Sequence, residues 1–194
     1  MADPGALADI IDVSISLADA EVQRDGFAGV MLVSEHEVEA PTRVLTYSGT
    51  SAEVLAAMVL DGHAAGTPAY VQARAVLSQR PGLGTIKIGR RDADDASWTD
   101  ALDAIREADS DWYGLAVDTR DAAEIVEIAE WCGTSGAGQF VLYMAQSKDA
   151  DVKTADFGNV ASTLAADEDL ERVALVWHDP EVASGAAYAR VVTG

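Results

Sequence analysis

The sequence predicts an α/β protein: a mostly parallel sheet with helices on both faces, preceded by an extended arm. Three observations predict it. Short apolar runs alternate with longer amphipathic stretches, the rhythm of strand, helix, strand. Capping residues stand at the strand–helix junctions. Hydrophobic residues make up 49% of 194 positions, enough for a packed core.

The elements follow in order. In "IIDVSISLADAEV", Ile11, Val13, Ile15 and Leu17 alternate with Asp12, Ser14, Ser16 and Ala18, the period of a half-buried strand. It has no hairpin partner nearby, so residues 1–22 are expected to form an arm and residues 23–194 the α/β domain. The arm pairs either within the domain or with the sheet of another subunit. "GFAGVMLVSEH" is a denser, more buried strand, and "TRVLTYSG" a short one. "TSAEVLAAMVLDG" opens a helix with Thr50 and Glu53 spaced as a capping box and Gly62 as its stop. "TPAYVQARAVLSQRPG" is a second helix, with Thr67 as N-cap and Pro68 in its first turn.

"GTIKIGRR" is a strand, and "SWTDALDAIREADS" a helix begun by Ser97, with Trp98, Leu102 and Ile105 on one face. "WYGLAVDT" is a strand, and "DAAEIVEIAEWCG" a helix with Asp121 and Glu124 spaced as a second capping box. "QFVLYMAQ" is a strand, "SKDADVKTADFG" a polar loop, "NVASTLAADED" a helix, "RVALVWHD" a strand and "PEVASGAAYARVV" a last helix-like segment.

Charge narrows the function classes. Asp and Glu number 33 and Lys and Arg 13, a formal net charge of −20. Phosphate-directed nucleic-acid binding needs a basic surface, and so does attraction to anionic membranes, so neither partner is expected. The acidic surface serves solubility and assembly, or reflects a salt-rich habitat. No apolar run approaches bilayer length, and "MADPGALADIIDVS" lacks the basic-then-apolar order of a secretory signal. The single Cys132 allows no internal disulfide and reads as a core residue near a helix end.

Chemistry-bearing residues gather at predicted strand ends. Asp118 ends one strand, and His178 and Asp179 end another. If those strands are neighbours, the three share a crevice, with His178 as general base and Asp118 as its orienting carboxylate. A nucleophile or metal to complete such a set is missing. "GTSGAG" around Ser135 lacks nucleophile-elbow spacing and follows a helix. "RPGLGTIKIG" lacks phosphate-loop spacing and precedes a strand. "RRDADDAS" and "DSDW" are carboxylate-rich but lack the glycine and terminal glutamate of a calcium loop, so solvated acidic loops are expected. His36, His63 and His178 form no ligand-spaced pair for zinc. The structural reading of Asp118 is helix capping shared with Thr119 and Asp121, and His178-Asp179-Pro180 reads the same way. No catalytic residue, cofactor or metal is expected.

Several stretches together resemble a known family. "IIDVSISLADAEVQRDGFAGVMLV", "TRVLTYSGTSAEVLA", "TPAYVQARAVLSQRPGLGTIKIGRR", "WTDALDAIREADSDWYGLAVDTRDAAEIVEIAEW", "AQSKDADV" and "RVALVWHD" stand in the order found in the sheath subunit of contractile phage tails. The likeness runs from about residue 10 to about 180. The resemblance implies a structural protein with a subtilisin-like core that is not an enzyme. Its copies stack as rings around a tail tube and contract to drive the tube through a host envelope, delivering genome or effector. Partners implied are further copies of the chain, the tail tube protein, and baseplate and tail terminator proteins. The place implied is the virion, after synthesis in the host cytoplasm. Family subunits exchange terminal arms, and "DVSISL" matches the N-terminal one, so Ile11, Val13, Ile15 and Leu17 are the expected subunit-interface residues. Family members generally run longer, into further domain structure and a C-terminal arm, whereas this sequence ends at "YARVVTG". A short form, a fragment, or part of a gene product split elsewhere is expected from that difference.

Overall fold

The computed structural model describes residues 29–35, 42–79, 83–134, 140–154 and 157–177. The arm residues Ile11, Val13, Ile15 and Leu17, the serine-glycine turn at Ser135, and His178 and Asp179 lie outside the described residues.

Six strands form one sheet: β1 (Val30–Ser34), β2 (Val44–Ser48), β3 (Thr85–Arg90), β4 (Gly114–Val117), β5 (Leu142–Ser147) and β6 (Val173–Trp177). Their spatial order is β2-β3-β1-β4-β5-β6. All neighbours are parallel except β2, which runs antiparallel to β3 at one edge. Five helices are described: α1 (Ser51–Leu60), α2 (Pro68–Leu77), α3 (Trp98–Ala108), α4 (Ala122–Thr134) and α5 (Val160–Ala166). Among the described residues, the order of strands and α-helices matches the sequence expectation. Strand starts differ: Trp112 and Tyr113 precede β4, and Phe140 and Val141 precede β5.

Strand parity sorts the core into two layers. Met31, Val33, Leu115, Val117, Tyr143 and Ala145 face α3, α4 and α5. Val30, Leu32, Ile86, Ile88 and Ala116 face α1 and α2. Both faces of the central strands are therefore buried, which is why their sequences are continuously apolar. On α3, Trp98, Ala101, Leu102 and Ile105 are buried at the helical spacing that makes one stripe. Each such large side chain contributes roughly 1.5–3 kcal/mol by leaving water.

The helix starts follow local chemistry. Thr50 and Glu53 complete both halves of a capping box. The Ser97 hydroxyl accepts from the Asp100 amide, and Asn159 caps α5 from the Ser162 amide. Gly62, just past α1, has φ 100°, a conformation that costs glycine little.

Two acidic stretches are corrected. "RRDADD" and "DSDW" are not simply solvated, because Arg43 and Lys87 reach them from elsewhere in the chain. Arg43 grips Asp95 with both terminal nitrogens, one at 2.8 Å, and its Nε lies 3.1 Å from Asp92. Arg90 Nε sits 2.6 Å from Asp92. Lys87, buried on β3, places Nζ 2.8 Å from Asp109 and 2.7 Å from the Asp111 carbonyl. Arg90 and Asp92 are near neighbours in the chain, but sequence spacing carries no sign of the Arg43 and Lys87 pairings, whose partners lie 22 to 52 positions apart.

Candidate functional site at the carboxyl ends of β1 and β4

The sheet reverses direction once. From β1 the chain builds outward to β2 and β3, then crosses back to β4 on the other side of β1 and continues to β5 and β6. The carboxyl ends of β1 and β4 therefore lie side by side while the chain leaves them in opposite directions. In open α/β sheets this reversal is where a crevice and its ligands are found.

Ser34 and Asp118 occupy that position. The Ser34 hydroxyl donates to Asp118 Oδ2 at 2.7 Å. The Glu35 backbone N–H also serves the Asp118 carboxylate. The Asp118 amide donates to the Val33 carbonyl at 3.2 Å, continuing the β1–β4 ladder past its last residue pair. Burial pushes the Asp118 carboxyl above its ordinary range, and the nearby Glu35 charge adds to this, while the Ser34 bond pulls the other way.

The rim above the pair is charged. Arg91, just after β3, donates to Glu35 Oε1 at 2.8 Å and lies 3.8 Å from Glu124. Its guanidinium also stacks 4.6 Å from the centroid of the Trp98 ring, a cation–π contact. The Arg91 amide donates to the Ser34 carbonyl at 3.2 Å, so β3 is locked to the same strand end.

Asp118 is not the cap of α4, contrary to the sequence expectation. Asp121 caps it, accepting from the amides of Ala123 at 2.9 Å and Glu124 at 3.3 Å. Thr119 supports the turn by accepting from the Asp121 amide at 3.2 Å and donating to Glu124. The helix start is thus served by the residues nearest it, and Asp118 is left to serve β1. The strand that ends at Asp118 and the one that leads to His178 are not neighbours. β5 lies between β4 and the strand that leads to His178. Two inter-strand spacings put those strand ends roughly 10 Å apart.

What the pair can do chemically is hold a proton. Desolvation makes this carboxyl bind a proton more tightly than a free aspartate, outweighing the Ser34 bond that favours the charged form. Among the described residues, no group of three His, Cys, Asp or Glu side chains is placed to hold a metal ion. Cys132 is buried in α4, and burial pushes its thiol up to about 12, so it is inert as a nucleophile. No described helix is long and apolar enough to cross a membrane.

Sequence reasoning missed Ser34 as the partner of Asp118. The available signal was a polar residue closing an otherwise apolar strand, "VMLVS", at the end where parallel sheets carry their sites.

Comparison with protein-family models and with curated proteins gives no match for this chain.

Proposed function

We propose that the chain is a structural subunit of a contractile tail sheath, assembling with copies of itself into stacked rings around a tail tube. The order of segments that resembles that family motivates the reading, and one structural observation carries it. β6, "VALVW", is one of the two edge strands of the described sheet, and it holds neither a charge nor a proline. Edge strands of solitary proteins are normally blunted by charge, proline or a bulge, because an open edge recruits another strand. An apolar edge suits a strand from a neighbouring copy, and the alternating Ile11, Val13, Ile15 and Leu17 have the pattern for β-augmentation. Contraction then draws on interfaces with two packings, with no chemical fuel.

Negative-stain microscopy of the purified chain tests this reading. Rings or tubes are expected, and deleting residues 1–20 is expected to abolish them while the circular dichroism spectrum is retained. Assembly that survives the deletion overturns the role of the arm.

The Ser34–Asp118 pair at the sheet reversal favours a second reading, a small-molecule enzyme or ligand-binding domain using Asp118, His178 and Asp179. A strictly monomeric chain at high concentration, with a ligand that raises its melting temperature, decides for that reading.

A further inference from the structure

The exposed large apolar side chains stand toward the two edges of the sheet. Among the described residues they are Val59, Leu60, Phe140 and Phe157. Val59 and Leu60 close α1, which packs against α2 and against β2, one edge strand. Phe140 precedes β5, and Phe157 stands in the connection from β5 through α5 to β6, the other edge strand. The Arg172 guanidinium lies 5.1 Å from the centroid of the Phe140 ring. Phe157 is 96% exposed.

α1 carries two apolar stripes where a surface helix carries one. Val54 and Met58 are buried against the core. Ala52, Leu55, Ala56, Val59 and Leu60 recur at the three- and four-residue spacing of a second face, and all but the half-buried Leu55 are exposed. The outward side of α3 shows the ordinary arrangement, with Asp100, Asp103 and Glu107 exposed. Glu53, the one charged residue of α1, is bound to Thr50 at the start of the helix. Small Ala52 and Ala56 beside the larger Leu55, Val59 and Leu60 give the outward stripe the relief to seat an aromatic ring.

Charge points to the surface that meets it. α1 has no basic residue in its last turn, and the exposed Asp61 follows it, so this end of the helix is negative. Two of the three lysines of the chain, Lys148 and Lys153, are exposed in the connection that holds Phe157. Of the acids beside them, Asp149 caps a short 3-10 turn and Asp151 is exposed. A chain of net charge −20 repels its own copies, so they meet best where carboxylates are few and lysines face acids.

We propose that copies of this chain join head to tail, with Phe157 of one copy seated on the outward stripe of α1 of the next. The two surfaces differ and lie toward opposite edges of one sheet, so the contact is heterologous and continues from copy to copy into a ring or a tube. A ten-residue helix is about 15 Å long, so each contact is of the small, transient class. The inference rests on the reading of a self-assembling chain and is independent of the arm.

Paired cysteine variants of the full chain test it. Ala56→Cys and Phe157→Cys place one thiol on each surface, and the native Cys132 is buried. On oxidation the mixture is expected to give a disulfide between unlike chains, and each variant alone to give none. In sedimentation over a concentration series, Leu60→Ser and Phe157→Ser are each expected to weaken association by about tenfold or more, the effect of losing one anchor side chain. Both side chains are exposed, so both variants keep the fold. Four outcomes overturn the proposal: a wild-type chain that stays monomeric, no disulfide in the mixture, a disulfide formed by Ala56→Cys alone, or association unchanged in either serine variant. The third pairs α1 with its own copy. Rings that persist without the mixed disulfide sink this contact and leave the sheath reading standing. A mixed disulfide from a chain that forms neither rings nor tubes upholds the contact and removes the sheath.

Discussion

The Ser34 hydroxyl, closing β1, donates to the Asp118 carboxylate, closing β4, across the point where the sheet reverses its strand order. The bond joins two strand ends 84 positions apart in the chain. It also places an acid where burial opposes its charge. A group held at such a cost marks a site retained for use or for specifying the fold.

Asp118→Asn separates the cost of the charge from the value of the bond. The amide oxygen can still accept from Ser34, while the desolvated charge is gone. At pH 7 the variant is expected to be more stable than the wild type by about 1 kcal/mol, the scale of desolvating an incompletely compensated polar group. The sign follows from the raised carboxyl. The folded state holds the proton more tightly than the unfolded chain, so wild-type stability falls as pH rises from the ordinary aspartate range through the raised folded value. Urea melts across that window are expected to show the gain at neutral pH and its disappearance in acid. A loss at pH 7 means that the charge itself is stabilising.

Gly29 is the tightest spot at the other end of β1. A Cβ there would lie 2.8 Å from the Trp112 Cα and 3.0 Å from the Asp111 carbonyl oxygen. Both contacts are backbone, so neither can swing aside. Trp112 is itself fixed, stacked on Trp131 at 6.1 Å and donating from its indole to the Asp109 carbonyl. Gly29→Ala is expected to cost roughly 2–3 kcal/mol, the upper part of the overpacking range. Thermal melts followed by tryptophan fluorescence check this. An unchanged melting temperature means that the strand and the Trp112 loop can separate freely.

The periodic parts of this fold were legible and the long-range parts were not. Thr50, Glu53, Gly62 and Ser97 act within a few residues of where they stand, so the sequence announces them. The apolar runs announce strands, but not their neighbours. Nothing in "GLAV" or "VALVW" reveals that β5 separates them. For the same reason Asp118 read as a cap, the local role open to an acid before a helix. Its actual partner is a serine brought close only by sheet order. Arg43 and Lys87 likewise met their acids through topology.

The Arg43–Asp95 pair supplies a pH dependence of opposite sign. The bond from Arg43 is the chief reason that the Asp95 carboxyl lies below the ordinary aspartate range, outweighing the opposing effect of burial. The Asp95 side chain is 8% exposed and that of Arg43 25%, so solvent screens the pair only in part. A carboxyl depressed on folding contributes stability that is complete above its unfolded value. That stability drains away as pH falls through the folded one. Asp95→Asn is expected to lose about 1–2 kcal/mol at pH 7, within the range for a charge-assisted bond after allowance for partial exposure. The gap between wild type and variant is expected to close on acidification, because protonation removes the same charge from the wild type. Denaturant melts from pH 7 to pH 3 measure it. A gap that stays constant with pH assigns the loss to packing at the Arg43 loop, with the ion pair contributing nothing.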